Sequence, residues 1–265
     1  MPSCRFFGIV SQRSLDVIIR KTPEQIEKMN VAGTVLRRSL NAAGEAMAAG
    51  VRTRELDELI RGVIEAAGAR PAFKGYMGFP ANSCISVNEA VVHGIPDDRK
   101  LRDGDLVSID VGVELDGFMA DSARTFLLGD VSPENRRLVE VTRRSLEKGL
   151  EQCHPGRRVG DISHAVQITV EAHGFSVVRE LVGHGIGENL HEDPQIPNFG
   201  PPGRGPVLEA GMVFAIEPMV NAGTDRVRTL KDEWTVVTAD GKFSAHEEHT
   251  VAITEKGPKI LTLLD

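Results

Sequence analysis

The sequence predicts an α+β fold built from two like halves. Each half begins with two segments that have the apolar spacing of helices, and continues with short apolar segments typical of strands. At 265 residues, of which 41% are hydrophobic, the chain can fill a substantial core. No linker rich in serine, proline or charge separates the halves. We therefore expect one compact unit in which the order of elements is repeated.

The first half begins at the segment TPEQ. Thr22 can cap a helix, Pro23 suits its first position, and Gln25 completes a capping box. We expect this helix to run to about Ala48. A second helix is predicted in TRELDELIRGVIEAAG, starting after Thr53 and ending at the last glycine, because its leucines and isoleucines share one face. Short strands are expected at Ile85–Val87 and Glu89–Val92.

A β-hairpin is predicted in the segment DLVSIDVGVELDGFMADSARTF. Asp116-Gly117 is a favoured two-residue loop, and in that register Gly112 lies opposite Asp121. Asp110 then lies opposite Ala123, so both aspartates share one face as diagonal neighbours about 7–8 Å apart at Cα. Apolar residues surround Asp110, which indicates that its carboxylate points into the protein, where an unpaired charge is costly. One cation could hold both aspartates; a solvated hairpin face is the alternative.

The second half repeats the order of helices and strands. Ser132-Pro133 predicts the start of a helix that runs to about Gln152, and another helix is expected from Val159 to His173. The predicted strands are Phe175–Arg179, Met212–Val220, Trp234–Thr238 and Ser244–Thr254. The glycine- and proline-rich stretch Pro194–Pro206 is predicted to be a loop.

The composition excludes several classes of function. A net charge of −7 and a pI near 5.7 argue against nucleic acid as the main partner. The three cysteines, Cys4, Cys84 and Cys153, have no CxxC spacing, which fits a reducing cytoplasm rather than a disulfide framework or thiolate zinc site. No apolar run approaches the ~18–20 residues that span a bilayer. The basic segment 1–21 predicts an irregular tail or an early start codon, with an organelle transit segment as the alternative.

Three further segments contain polar residues that suit a metal site. His184 and His191 lie among glycines in VGHGIGENLHEDP, which matches neither a helical zinc motif nor a phosphate cradle and predicts a loop that lets backbone approach closely. Glu217 lies in the apolar segment MVFAIEPMV, where a carboxylate needs a partner of opposite charge. In SAHEEHTVAIT the alternation of a strand places His246 and Glu248 on one side, but it does not decide which of the two glutamates faces inward.

Taken singly, each of these residues has a structural explanation, such as a core histidine bonded to backbone or a glutamate paired with arginine. Taken together, four carboxylates and one imidazole form a ligand set that suits a pair of divalent ions. Two of the carboxylates can bridge both ions, while the remaining groups bind one ion each. The combination therefore favours a dinuclear metal site.

The chain resembles the type I methionine aminopeptidases, which have the pita-bread fold. Six motifs carry the resemblance in order: TPEQIEKM, NEAVVHGIP, IDVGVELDGFMADSARTF, GHGIGENLHEDP, VFAIEPMV and AHEEHTVAIT. They extend from about Lys21 to Thr262, which is nearly the whole chain. The resemblance implies two pseudo-symmetric halves with antiparallel sheet covered by helices. It also implies a tail at 1–21 and a single pita-bread catalytic domain at 22–265.

The resemblance assigns a role to each candidate ligand. It implies two divalent metal ions per chain, of cobalt, manganese, iron or zinc. The ligands would be Asp110 on one ion, Asp121 and Glu248 between the two, and His184 and Glu217 on the second. Glu217 would also move a proton toward the leaving amine, while His93 and His191 would contact substrate and stabilise the tetrahedral intermediate. For His93 the alternative is a hydrogen bond within a turn.

A hydrophobic pocket for the methionine side chain is implied as well. The matching positions are Phe73, Tyr76, Phe79, Cys84 and Trp234, with Leu190 as a further candidate. Aromatic walls suit a flexible thioether, and ordinary core packing is the alternative at each position. Phe73 stands where relatives often carry cysteine and Phe79 where they often carry tyrosine, which predicts a tighter, less polar pocket. Gly112 stands where threonine is common, which predicts weaker support for the metal bound by Asp110.

The function implied by the resemblance is removal of the initiator methionine from nascent proteins with a small second residue. The N-terminal methionine of nascent polypeptides would be the substrate, and the ribosome a candidate partner. We expect a cytoplasmic monomer, with no membrane and no direct nucleic-acid partner. One alternative is an X-Pro-type pita-bread aminopeptidase, disfavoured because such relatives carry a large additional N-terminal domain. The other is a non-catalytic pita-bread binding protein.

Overall fold

The computed structural model describes residues 18–263, and its helices follow the predicted order. The helices are α1 (Pro23–Ala46), α2 (Thr53–Ala66), α3 (Pro133–Leu150) and α4 (Val159–Glu171). The capping box at the start of α1 is confirmed, because the Gln25 amide donates to Thr22 Oγ1 at 3.3 Å and the Thr22 amide donates to Gln25 Oε1 at 2.9 Å. Two helices precede most of the strands in each half, which confirms the repeated order of elements.

Fifteen short strands occur within residues 18–263, and every pairing between them is antiparallel. They are β1 (Arg70–Pro71), β2 (Cys84–Val87), β3 (Ala90–Val92), β4 (Leu106–Leu115), β5 (Phe118–Leu127), β6 (Ser176–Val177), β7 (Gly183–Gly185), β8 (Glu192–Ile196), β9 (Val213–Ile216), β10 (Met219–Asn221), β11 (Val227–Thr229), β12 (Val236–Thr238), β13 (Ser244–His246), β14 (His249–Thr254) and β15 (Gly257–Ile260). The first half contains the sheet of β1, β2, β4 and β5, and the second half contains β15-β14-β9-β7-β8. Two three-stranded sheets, β13-β10-β6 and β11-β12-β3, complete the set.

Helices cover the sheet of each half, and the core lies between them. In the first half Leu36 and Leu40 of α1 and Ile60 of α2 pack with Ile109 of β4, and all four are fully buried. In the second half Leu146 of α3 and Ile162 of α4 belong to the cluster around Phe214 and Val251. Burial of each such side chain stabilises the fold by about 1.5–3 kcal/mol. The α+β prediction is therefore confirmed.

Two predicted strands are each interrupted at a glutamate. The segment Met212–Val220 was expected to be one strand, but β9 ends before Glu217-Pro218, because proline has no amide to donate to a sheet. The segment Ser244–Thr254 divides into β13 and β14 at Glu247-Glu248, where the Glu248 amide donates to the carbonyl of Ala123 at 2.9 Å instead of pairing within its own sheet. Both breaks therefore occur beside a predicted metal ligand.

The predicted loops also contain strands. The segment around His184 forms β7, so the loop prediction was wrong there. The predicted loop Pro194–Pro206 is confirmed from residue 197 onward, because β8 ends at Ile196. The expected close approach of backbone is nevertheless real. A Cβ at Gly183 would lie 2.4 Å from the carbonyl oxygen of Ala215, and one at Gly185 would lie 2.3 Å from that of Asp193. Glycine at both positions lets β7 lie between its neighbours.

No helix between residues 18 and 263 is both long and apolar enough to cross a bilayer. The predicted helix after Thr53 begins at Thr53 itself, with Arg52 in the capping position. The predictions for the basic tail fall almost entirely on residues 1–17, which lie outside the described residues.

Candidate metal centre and substrate pocket

One cavity of about 620 Å³ is lined by residues from both halves and includes all five predicted metal ligands. Each ligand occupies a strand or the residue beside one. They are Asp110 in β4, Asp121 in β5, His184 in β7, Glu217 after β9 and Glu248 before β14. Residues more than 130 positions apart are thus brought to one place by the sheets.

The hairpin of β4 and β5 has the predicted register. Leu115 pairs with Phe118 across the turn, Gly112 with Asp121, and Asp110 with Ala123. Because side chains on a strand alternate between faces, the two aspartates share the face that lines the cavity. The hairpin alone therefore positions two of the four carboxylates.

Hydrogen bonds between side-chain hydroxyls and backbone groups hold Asp121 and its neighbour Ser122 against the segment Glu248–Thr250. The hydroxyl of Thr250 donates to the Asp121 carbonyl at 2.7 Å and accepts from the Asp121 amide at 2.9 Å. The hydroxyl of Ser122 donates to the Glu248 carbonyl at 2.6 Å. These buried contacts join the first half to the second and hold the two carboxylates that were predicted to bridge the ions. Their spacing is therefore set by the packing of the two halves.

The His184 imidazole is oriented by its own backbone. Its Nδ1 lies 2.9 Å from the carbonyl of Gly185, and because a carbonyl only accepts, Nδ1 carries the hydrogen. Nε2 is then a lone-pair donor, and it points toward Glu217, with 3.6 Å to Oε1. Burial lowers the pKa of His184 to about 4, so the imidazole is neutral near pH 7. A neutral, oriented imidazole is the form that binds a metal.

The donor set fits divalent cations. One ligand atom from each of Asp121, His184 and Glu248 lies within 4.8 Å of the other two. Buried oxygens of Asp110, Asp121 and Glu248 have no hydrogen-bond partner among residues 18–263. Leaving such oxygens unpaired is costly, and a bound cation would satisfy them. Oxygen ligands with one imidazole suit manganese, iron, cobalt or zinc.

The electrostatics of the cluster lead to the same conclusion. Burial raises the pKa of Asp121 from 3.8 to about 7. Burial also raises the pKa of Asp110, Glu217 and Glu248 well above their usual range, and the neighbouring Asp121 charge adds to each rise. Four crowded carboxyls can be ionised together only if positive charge is supplied. Among residues 18–263, the histidines that border the cluster do not supply it, because they are neutral.

Two more histidines border the same cavity. His93 follows β3 with φ of 57°, a left-handed conformation that non-glycine residues rarely adopt and that recurs at functional sites. The His191 ring lies 4.1 Å from the His184 ring, and its Nδ1 lies 2.9 Å from the hydroxyl of Tyr76. Burial lowers the pKa of His93 to about 4 and that of His191 to about 2. Both are therefore neutral hydrogen-bonding groups beside the candidate ligands.

All the predicted pocket residues line this cavity. They are Phe73, Tyr76, Phe79, Cys84, Leu190 and Trp234. Phe79 packs edge to face on Trp234, with 5.0 Å between the ring centroids. Phe73 packs edge to face on Phe79, with 6.5 Å between the centroids. Cys84 is buried and pairs with Asp110 across β2 and β4, which places the thiol beside a candidate metal ligand. Met77, which the sequence did not single out, is 65% exposed and also lines the cavity.

The comparisons with known proteins agree with this geometry. Residues 27–255 match metallopeptidase family M24. A methionine aminopeptidase of Clostridium perfringens is 55% identical over 248 residues, covering 94% of this chain and 100% of that protein. Methionine aminopeptidase 1 of Bacillus subtilis is 53% identical over 246 residues, covering 93% and 99%. The chain belongs to the type I methionine aminopeptidase family.

The fold of this aminopeptidase family is confirmed by structural similarity. The crystal structure of methionine aminopeptidase from Rickettsia prowazekii matches with a TM-score of 0.92 at 42% identity, covering 93% of this chain and 100% of that one. The two halves described above are therefore the pita-bread fold. Membership of a metallopeptidase family also implies divalent metal ions, and the buried carboxylates are the place that fits them.

The candidate site contains one histidine, His246, that was not among the predicted site residues. His246 is 2% exposed, and its Nε2 lies 3.6 Å from Glu217 Oε2 and 4.0 Å from Glu248 Oε2. Nε2 has no hydrogen-bond partner among residues 18–263. Strand alternation had placed His246 on the same side as Glu248, so the signal was present in the sequence.

Of the two adjacent glutamates Glu247 and Glu248, only Glu248 faces the cavity. Glu248 lines the cavity, whereas Glu247 accepts a hydrogen bond from Arg143 at 3.0 Å on the opposite side. Glu247 is therefore held in an ion pair, whereas Glu248 faces the candidate metal centre.

Proposed function

We propose that the protein removes the initiator methionine from nascent chains whose second residue is small, with two divalent metal ions at the carboxylate cluster. One observation carries this proposal: the cluster shares a single cavity with an aromatic pocket and two neutral histidines. Asp110 would bind one ion, and His184 with Glu217 the other. Asp121 and Glu248 would lie between the ions.

The pocket accounts for selection of methionine. Phe79 and Trp234 form an edge-to-face pair beside Phe73, and a flexible thioether gains from contact with aromatic rings. A charged or strongly polar first residue would lose its hydration there without recovering hydrogen bonds, which is costly. The pocket therefore favours a long, apolar, unbranched side chain at the N-terminus.

The chemistry divides between the metal site and the protein side chains. When bound, the divalent ions supply Lewis acidity that activates water and polarises the scissile carbonyl at neutral pH. Glu217 is well placed to accept the proton from the attacking water and pass it to the leaving amine. His93 and His191 would hold the substrate carbonyl and amide and stabilise the oxyanion, since neutral imidazoles can donate a hydrogen bond without carrying charge.

The proposed substrate also indicates where the enzyme acts and which large assembly it meets. Nascent chains emerge in the cytoplasm, so we infer a cytoplasmic enzyme that works as a monomer and meets the ribosome transiently. Sedimentation with and without purified ribosomes would test both points. Co-sedimentation at low salt that disappears at high salt would support a weak encounter, and a sedimenting dimer in the absence of ribosomes would refute the monomer.

The decisive experiment measures free methionine released from Met-Ala-Ser by metal-depleted protein, with Mn²⁺, Co²⁺, Fe²⁺ or Zn²⁺ added back separately. We expect metal-dependent release that is lost in Glu217→Gln. Glu188→Gln is a matched control, because Glu188 is exposed and outside the cavity lining. Cleavage of Ala-Pro peptides instead would indicate an X-Pro peptidase. No cleavage of either peptide with any metal would refute the proposal and favour a binding protein.

A further inference from the structure

Phe73 and Gly112 are interlocked in one wall of the cavity. A Cβ at position 112 would lie 2.5 Å from Cε1 and 2.9 Å from Cδ1 of the Phe73 ring, and 3.1 Å from the Cβ of Ala72. Contacts under 3.0 Å are sterically forbidden, so the ring occupies the space that any side chain at position 112 would need. Phe73 and Gly112 therefore form one packing arrangement.

The backbone explains why the ring lies there. Arg70 and Pro71 form β1 against β4, and the Ala72 amide donates to the Gly112 carbonyl at 2.9 Å. The chain then leaves the sheet, and the Phe73 ring lies over the bare backbone of Gly112. Phe73 is 7% exposed, so the ring is almost completely enclosed.

The ring is held from both sides. Gly112 and the sheet are behind it, and Phe79, which itself packs on Trp234, is beside it. Gly112 is two residues from Asp110 on the same face of β4, so this wall borders the metal centre. The Phe73 ring cannot move closer to the sheet, because Gly112 is already in contact with it. It cannot rotate away without displacing Phe79 and Trp234.

We propose that the Phe73–Gly112 pair sets the size limit of the pocket for the N-terminal side chain, a role that rests on the proposed function. Glycine at position 112 lets the ring recess against the sheet, and the ring then blocks side chains longer than methionine. A side chain at position 112 would push the ring into the cavity and narrow it. Loss of the ring would widen the cavity. The two single substitutions therefore change the size of accepted side chains in opposite directions.

The packing itself is tested first, by thermal unfolding of metal-free Gly112→Ala, Phe73→Ala and the double variant. We expect Gly112→Ala alone to lower the melting temperature by roughly 3–6 °C, as overpacking does in a chain of this size. In the Phe73→Ala background the same substitution should cost at most about half as much, because the obstructing ring is gone. Equal losses in both backgrounds would overturn the interlock.

The size limit is tested by the ratio of kcat/KM for S-ethyl (ethionine) and S-methyl (methionine) forms of Met-Ala-Ser. Both substrates need the same metal centre, so the ratio cancels changes in metal loading. Phe73→Ala should shift the ratio toward the ethyl substrate by about tenfold, the usual value of one methylene in a pocket. Gly112→Ala should shift the ratio toward the methyl substrate. The double variant should have the same ratio as Phe73→Ala.

Gly44 and Phe126 provide a matched control elsewhere in the fold. A Cβ at Gly44 would lie 2.5 Å from Cε1 of Phe126, and neither residue lines the cavity. Gly44→Ala and Phe126→Ala should couple in stability yet leave the substrate ratio unchanged. An unchanged ratio in Phe73→Ala, despite coupled stabilities, would overturn the size limit. Failure of the wild-type protein to release either amino acid would instead refute the proposed function, while the unfolding cycle would still decide the interlock.

Discussion

Lys21 and Glu192 form a buried ion pair that joins the segment before α1 to the residue after His191. Their side chains are 4% and 6% exposed, and the Lys21 amide also donates to the carbonyl of Gly211 at 2.7 Å. Glu192 Oε1 in turn accepts from the Asn189 amide at 3.1 Å. The ion pair therefore anchors the loop that carries a candidate catalytic histidine to the chain before the first helix.

We expect Lys21→Met to destabilise the protein by about 3–5 kcal/mol, because it leaves the Glu192 carboxylate buried without its partner. The double variant Lys21→Met/Glu192→Gln should recover much of that loss. Arg20→Met is the matched control, since the adjacent Arg20–Glu209 pair is 60% and 52% exposed and such pairs contribute about 0–1 kcal/mol. Urea unfolding measures all three. A Lys21→Met variant as stable as Arg20→Met would contradict the anchoring role.

Asp121→Ala and Glu248→Ala should each abolish methionine release. Each would remove a carboxylate that would hold the proposed ions and leave the remaining carboxylates crowded without shielding charge. Release from Met-Ala-Ser and metal content of the purified variants would be measured together. Asp116→Asn, in the exposed hairpin turn, is the control and should retain full activity. Full activity in either alanine variant would refute the proposed ligand set.

His184→Ala and His191→Ala should separate metal binding from substrate handling. The two rings are 4.1 Å apart, yet only His184 belongs to the group whose ligand atoms lie within 4.8 Å of one another. We expect His184→Ala to lose metal, and His191→Ala to keep it while kcat falls by about 10²-fold. Calorimetric titration with Mn²⁺ and single-turnover assays distinguish the two effects. Metal loss in His191→Ala would instead make that residue a ligand.

His246→Leu should weaken metal binding by about 10–100-fold, the usual cost of losing a group that supports a ligand. The imidazole Nε2 lies 3.6 Å from Glu217 Oε2 and 4.0 Å from Glu248 Oε2, so it borders both carboxylates. His246→Gln should retain part of the affinity, because its amide can still donate. Competition with a chelator measures the change. His164→Leu on α4, outside the cavity lining, should have no effect.

The stability of the metal-free protein should fall as pH rises from 6.5 to 8. Burial raises the pKa of Asp121 to about 7, so the folded state holds a proton that the unfolded state has already lost. That contribution is complete below the ordinary pKa of an aspartate and disappears as pH rises through about 7. The buried histidines oppose this trend only below about pH 6.5, where unfolded histidine becomes protonated.

We expect a fall in melting temperature of roughly 3–6 °C over this interval, measured by calorimetry. Added Mn²⁺ should reverse the trend, because the cation favours ionised carboxylates. In Glu217→Gln the fall should be smaller, since one raised carboxyl is removed. A metal-free protein that gains stability between pH 6.5 and 8 would contradict the buried, crowded carboxyl cluster.

Much of this protein was predictable from local pattern. The capping box at Thr22, the hairpin loop at Asp116-Gly117 and the opposition of Gly112 to Asp121 all depend on residues close in sequence, and each was confirmed. Periodicity also located the four helices to within a few residues. Local rules succeed where a hydrogen bond or a turn conformation is decided by adjacent residues.

The sequence by itself determined the α+β class, the helix starts, the hairpin register and the residue types of a metal site. Only the tertiary structure decided that β9 and β14 begin or end beside Glu217 and Glu248, that His246 lies behind both glutamates, and that Phe73 fills the space over Gly112. These features depend on strands that are distant along the chain but adjacent in space. Packing at that range interrupts strands that the local pattern predicts to be continuous, because buried backbone groups must bond to whichever neighbouring strand is within reach.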